Sequence, residues 1–278
     1  MSPVTWIARG SRRVGLSIAV AVSLAGGYFA GQALSPRADA SAGGSAPFGF
    51  SDVVFLSHVN TEDMPIFPGD PHVVIDPIFT VSKDGFRLQL MRIGEHTGTH
   101  WGSPCHFTQG ARCADDLAAE DFFHPAVVID VRDETEADVD FRLRVADLEA
   151  FEAAHGTIPD NAMVIMWTGF QGRWDDPEAY VNEGADGLLH FPGFSVQATR
   201  WLIENRNLGG LGIDTLGVDP GTDEHFRTNT LLLHEHRIHI ENMANLGSMP
   251  TVGGWVIVGG VVNEQGSGSP ATVFGLVP

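Results

Sequence analysis

Apolar residues along this chain recur in two rhythms. An alternating one runs through Phe86-Arg87-Leu88-Gln89-Leu90-Met91-Arg92-Ile93 and marks a strand with one buried face. Short apolar runs at 53–56 and 73–75 read as strands too. The runs at 126–131 and 162–167 are continuously apolar, the signature of strands buried on both faces. Gly210-Leu211-Gly212-Ile213-Asp214 and Trp255-Val256-Ile257-Val258 complete the strand set. Helical spacing is rarer. Residues 145–155 put Leu148, Phe151 and Ala154 on one face before Gly156 ends the pattern. Residues 195–205 open on a Ser195 cap and carry Ala198, Trp201 and Leu202 inward. Residues 115–123 read as a third, shorter helix. With no internal repeat and no second composition regime, the pattern predicts one mixed α/β domain, 51–278. It has more strand than helix, built of βα units around a sheet or barrel.

The beginning of the chain follows another logic. Arg9, Arg12 and Arg13 precede an uncharged apolar run at 14–34, followed by Ala38-Asp39-Ala40, a pattern that a signal peptidase could cut. Ser11-Arg12-Arg13-Val14-Gly15-Leu16 resembles a twin-arginine export signal. Residues 1–40 are therefore expected to be an export signal, or a membrane anchor if uncleaved, since the run is long enough to span a bilayer. Residues 41–50, rich in Ser, Gly and Ala, read as a linker. Either way the domain is expected outside the cytoplasm.

Charge removes one class of partner. Asp and Glu number 35 against 16 Lys and Arg, a formal net charge of −19, and Lys83 is the sole lysine. Nucleic-acid binding needs clustered cations and is excluded. The partner expected is a small-molecule substrate. Two cysteines, Cys105 and Cys113, rule out a disulfide framework and leave a single bridge open. Cys105 also lies within a histidine-rich stretch, so a nucleophilic role has to be considered.

That stretch is His96-Thr97-Gly98-Thr99-His100-Trp101-Gly102-Ser103-Pro104-Cys105-His106. Neutral imidazole is the commonest protein ligand for zinc and similar ions. Gly98 between two β-branched threonines points to a tight loop rather than a helix, bringing His96 and His100 to one point. Pro104 stiffens the approach to His106, a candidate general acid or base. Trp101 and Phe107 are placed either on a pocket wall or in the core. His234, His236 and His239 crowd ahead of Glu241, where they could supply a further ligand, but with His225 they are read first as surface histidines. Asp214 and Asp219 are expected to fix loops.

These residues resemble the cyclase-like hydrolases, the family of bacterial kynurenine formamidase and isatin hydrolase, whose signature is His-x-Gly-Thr-His-x-Asp-x-Pro-x-His. The resemblance extends through Leu56-Ser57-His58, Pro68-Gly69-Asp70-Pro71, Thr168-Gly169-Phe170, Phe191-Pro192-Gly193-Phe194-Ser195, Gly212-Ile213-Asp214-Thr215, Asp219-Pro220-Gly221 and Ile240-Glu241-Asn242. It implies an α/β domain with a twisted barrel-like sheet and flanking helices, assembled as a homodimer or homotetramer. It also implies His96, His100 and Glu241 as metal ligands and His106 as catalytic acid/base. The activity implied is hydrolysis of an amide, lactam or lactone, as in the conversion of tryptophan to kynurenine.

Two departures bear on the cofactor. Gly102 stands where the signature has Asp, and Asn229 falls where dinuclear members place a His ligand. The expectation is one divalent ion, zinc or manganese, on His96 and His100. Glu241 is the first candidate to complete the set, with Asp70 and His58 behind it. The alternatives are a metal-independent lyase, isomerase or cyclase using His106 and Glu241, and a non-catalytic exported binding protein.

Overall fold

The two continuous apolar runs lie side by side as neighbouring parallel strands. In this computed structural model, which describes residues 49–278, the strands in chain order are β1 (Asp52–Phe55), β2 (Val74–Phe79), β3 (Leu88–Arg92), β4 (His100–Gly102), β5 (Phe123–Asp130), β6 (Arg142–Leu143), β7 (Met163–Trp167), β8 (Gly193–Phe194), β9 (Gly210–Ile213), β10 (Ile238–Glu241), β11 (Gly254–Gly260) and β12 (Gly268–Val277). The helices are α1 (Val81–Asp84), α2 (Arg132–Ala137), α3 (Val145–His155), α4 (Pro177–Val181), α5 (Val196–Arg206) and α6 (Arg227–Leu232). The expected signal or anchor at 1–40, and the linker up to residue 48, lie outside the described residues.

Seven strands close on themselves in the order β12-β11-β5-β7-β9-β10-β4, because β4 pairs with both β10 and β12. The β5–β7, β7–β9 and β9–β10 pairs are parallel and the others antiparallel. β1 adds along the last residues of β12, beyond its stretch against β4. The result is the mixed α/β domain that the apolar rhythm predicts, with the barrel core that the family resemblance implies.

Side-chain alternation sorts the barrel into two apolar layers. Ala126, Val128, Met163, Ile165, Ile238, Ile240, Val256 and Val258 fill one cluster, the barrel interior. Their chain neighbours Val127, Ile129, Val164, Met166, Leu211 and Ile213 join a second cluster outside it. There they pack beneath Leu148 and Phe151 of α3, Ala198 and Leu202 of α5 and Leu232 of α6. Each fully buried side chain of this size contributes about 1.5–3 kcal/mol. Ser195 caps α5 by accepting the Ala198 N–H, as its sequence position predicts.

Two sequence expectations fail. Residues 115–123 form no α-helix but two 3₁₀ turns, Ala114–Asp116 and Ala119–Phe122, separated by extended Leu117. Asp116 and Asp121 each fold back to accept a backbone N–H three residues earlier, at Cys113 and Ala118, which closes single turns instead of propagating a helix. The alternating segment at 86–93 does form β3, but it pairs only with β2 in a two-stranded arm. Leu88, Leu90 and Met91 all stay exposed, because no barrel strand takes up this hairpin.

Candidate active site

The alternation that sends Ile238 and Ile240 into the barrel sends His239 and Glu241 to its outer surface. On neighbouring β4, Trp101 points inward, so His100 and Gly102 face outward. The register sets Glu241 opposite His100 and His239 opposite Gly102. Four positions on one face of a strand pair thus form the floor of a site. His96 joins them from the turn before β4, where Gly98 has φ +69° and leaves no room for a side chain beside Asn60. His106 enters from the 3₁₀ turn Pro104–His106, stacked on His96 with ring centroids 3.6 Å apart.

Three of these imidazoles are held by one nitrogen and bare at the other. His96 Nε2 lies 2.8 Å from Ser267 Oγ, and that hydroxyl already donates to Glu95 at 2.7 Å, so the imidazole must be the donor. His100 Nδ1 donates to the Gly98 carbonyl at 2.9 Å, and His239 Nδ1 donates to Asn229 Oδ1 at 2.6 Å. Those bonds fix the tautomers and leave lone pairs on His96 Nδ1, His100 Nε2 and His239 Nε2. All three atoms are buried without a hydrogen-bond partner. The three histidines bring ligand atoms within 4.8 Å of one another. Buried lone pairs converging in this way suit a divalent cation, and imidazoles oriented through their far nitrogens are the usual preparation for one.

Electrostatics agree with that use. Burial and the neighbouring imidazoles drive His96 far below its ordinary pKa, and burial lowers His239 to about 3 and His106 to about 4. All three are neutral at pH 7, as a ligand or a base must be. Burial alone would raise the Glu241 pKa, but His239, His100 and the Val218 N–H hold the carboxylate ionised. Glu241 Oε1 accepts from Val218 N at 2.9 Å and Asn229 Nδ2 at 3.3 Å. Its Oε2 stands 3.2 Å from His100 Nε2 without hydrogen-bond alignment.

The site opens into a cleft of about 510 Å³. Phe67, Phe107, Phe226, Leu188, Leu189 and Leu216 give it apolar walls, while Asp70, Glu183 and Glu224 add carboxylates. Among the described residues no Lys or Arg lines it. Phe226 holds φ +49°, a costly conformation for an aromatic residue, with its ring 6.0 Å from Phe67 and 5.5 Å from Phe107. Asp219 also lines the cleft and accepts the N–H groups of Thr228 and Asn229 at the start of α6; burial raises its pKa to about 7.

The structure brings His96, His100, His106 and Glu241 together around this cleft, as the motif predicts. The main correction is His239. Read as a surface residue, it is fully buried within the cluster. Its shared strand face with Glu241, two residues on, was the signal. His234 and His225 are exposed as expected. His58 stands apart from the three histidines, stacked on Trp174 at 3.9 Å and outside the cleft lining. Asp70 lines the cleft without joining the three histidines. Trp101 belongs to the core, packed on Phe122, whereas Phe107 is a pocket wall. Cys105 is bonded to Cys113 and is no nucleophile. Asp214 does fix a loop, accepting from the Thr168 N–H and hydroxyl and from the Gly169 and Gln171 N–H groups. Glu95, Ser267 and the orienting role of Asn229 carried no sequence signal of their own.

Comparison with known proteins places this geometry among relatives. A model of the Cyclase family matches residues 54–220. The isatin hydrolase of Roseibium aggregatum is 32% identical over 218 residues, covering 75% of this chain and 82% of that protein. Isatin hydrolase A from Ralstonia solanacearum superposes with a TM-score of 0.77 at 31% identity, over 82% of this chain and 92% of the other. An isatin hydrolase bound to the product analogue thioisatinate is similar at a TM-score of 0.78 and 30% identity, with 82% and 92% covered.

Proposed function

The chain belongs to the cyclase family, as a metal-dependent hydrolase, and from that membership we propose that it opens the carbonyl–heteroatom bond of an uncharged aromatic amide, lactam or lactone. One observation carries the reading: three bare, buried imidazole nitrogens converge at the floor of a cleft that a fourth histidine, His106, also lines. His96, His100 and His239 would hold the cation, with Glu241 as its counter-charge. A divalent ion there supplies Lewis-acid polarisation of a carbonyl and activation of water.

The remaining work falls to the chain's own groups. Among the described residues nothing hydrogen-bonds the His106 ring, and burial keeps it neutral at pH 7. His106 removes a proton from the attacking water as it adds to the carbonyl carbon. The same imidazole then returns that proton to the departing nitrogen or oxygen. Phe67, Phe107 and Phe226 receive the aromatic ring of the substrate. Hydrolysis of a lactam or lactone creates a carboxylate, and a cleft lined by acidic groups, with no Lys or Arg among the described residues, favours its release. Isatin, named by the relatives, is the first substrate to assay, with aryl formamides and aromatic lactones beside it.

His106→Ala should lower kcat by about 10²- to 10⁴-fold while the metal content stays at the wild-type level. Chelation should abolish turnover, and a divalent ion should restore it. Turnover that survives complete metal removal, or metal lost together with His106, overturns the assignment of roles. Export through residues 1–40 and assembly into a homo-oligomer belong to the same proposal. A disulfide suits an oxidising compartment, and an arm exposing Phe79, Leu88 and Leu90 suits a self-associating chain.

A further inference from the structure

With the His239 ring where it stands, a side chain at position 102 would collide with it. The two positions face each other across the β4–β10 pair, on the face that bears the site. A Cβ built on Gly102 would lie 2.6 Å from His239 Cε1 and closer still to Nε2, well inside van der Waals contact. The His239 imidazole therefore stands in the volume that any residue but glycine would claim at 102. Its Nε2 is one of the three bare nitrogens, and its Nδ1 is tied to Asn229, whose amide also holds Glu241. The signature that this chain otherwise resembles has a carboxylate at 102, and here an imidazole arrives from the neighbouring strand instead.

Resting on the metal-holding reading of the site, we infer that His239 is a metal ligand taking the place of a side chain at 102, and that the three-imidazole set selects zinc over manganese. Exchanging a carboxylate for an imidazole makes all three ligands neutral nitrogen donors. Such donors suit zinc, whereas hard carboxylate oxygens suit manganese. Three protein ligands with a position left open are also the usual set for catalytic zinc. Each imidazole has its far nitrogen engaged, by the Ser267–Glu95 pair, the Gly98 carbonyl or Asn229, so the set is oriented before any ion enters. Glu241 remains beside His100 as the single nearby negative charge on β10.

Metal-free full-length protein, titrated with zinc and separately with manganese against a chromophoric chelator, tests this without reference to activity. Wild type should take one equivalent of zinc. His239→Ala should weaken zinc by more than about 100-fold, beyond the usual effect of losing an orienting group. Gly102→Ala, which only adds a methyl where the ring stands, should weaken it by about 10-fold or more. The exposed control His234→Ala should change nothing, and circular dichroism confirms that each variant is folded. In Gly102→Asp combined with His239→Ala, which restores a carboxylate, the ratio of zinc to manganese affinity should fall at least about 10-fold.

The failures separate cleanly. If wild type binds neither ion, the metal reading of the whole site falls. If wild type binds zinc but His239→Ala and Gly102→Ala bind it equally well, His239 is no ligand and this inference alone falls. An unchanged zinc-to-manganese ratio in the double variant overturns the selectivity. Should His239→Ala fail to fold, the cobalt(II) spectrum of Gly102→Ala decides: an altered d–d band supports ligation by His239, and an identical one refutes it.

Discussion

Replacing Glu241 by Gln should act differently on the metal-free and metal-loaded protein, which makes it the most discriminating single change. Glu241 is 5% exposed, and its Oε1 accepts from Val218 N and Asn229 Nδ2. Glutamine has the same shape and keeps an oxygen for those donors, while a buried negative charge disappears. Since burial holds His239 neutral, the metal-free protein loses no full ion pair, and its stability should move by less than about 1 kcal/mol. The loaded protein loses a counter-charge. Oε2 lies 3.2 Å from the bare Nε2 of His100, so the carboxylate is close to any cation bound there. Two unit charges about 4 Å apart attract by about 4 kcal/mol at an effective dielectric near 20, and a divalent ion doubles that. If hydration offsets three quarters, about 2 kcal/mol remains, or roughly 30-fold in affinity.

Linkage turns that factor into a melting experiment. At free zinc about 100 times the wild-type Kd, binding stabilises the wild type by about 2.7 kcal/mol and the variant by about 0.9 kcal/mol. For a domain of this size 1 kcal/mol moves Tm by roughly 2–4 °C. The zinc-induced shift should therefore shrink from roughly 5–11 °C to roughly 2–3.5 °C, with the metal-free Tm hardly changed. Equal shifts in both proteins would show that the carboxylate does not serve the cation. A large drop in the metal-free Tm would show that its role is structural.

Acid should weaken the metal-free protein. His58 and His106 have folded pKa values of about 4 and His239 about 3, all lowered mainly by burial from 6.5. The unfolded chain takes up these protons near pH 6.5 while the folded one does not, so stability is full above that pH and falls as pH drops toward 4. The slope reaches at most about 1.4 kcal/mol per pH unit for each group; urea midpoints at pH 7.5, 5.5 and 4.5 measure it, and a flat series contradicts the burial argument. Cys105 and Cys113 close a loop of sequence separation 8 that carries His106 and Phe107. Changing both to Ser should cost about 2.5 kcal/mol by loop entropy and lower kcat with zinc stoichiometry intact; unchanged kcat in the folded variant would free His106 from any dependence on the bridge.

What was legible in the sequence follows from how strongly each segment declares its burial. β5, β7, α3 and α5 were readable because their apolar residues are contiguous or helically spaced. β12, the longest strand among the described residues, shows no readable rhythm because Gly268, Pro270 and Gly275 break its pattern, although it closes the barrel. His96, His100 and His106 were readable together because they are close in sequence. His239 was not, because its importance depends on which residue faces it across the strand pair. Gly102 read as a lost ligand and Asn229 as another; the register makes Gly102 the space for His239 and Asn229 the brace for His239 and Glu241. A vacancy in a motif and the residue that fills it need not be neighbours in the chain.

The placement of this chemistry on the outside of a solid barrel has a bearing on how such a protein can diverge. Along β10 the residues that pack the interior, Ile238 and Ile240, alternate with those that face the site, His239 in the histidine cluster and Glu241 on the cleft. Both pairs are buried, but a change at the second leaves its void beside the site and keeps the packing of the barrel interior intact. A donor traded from one strand to its neighbour, as between positions 102 and 239, leaves the barrel interior as it was.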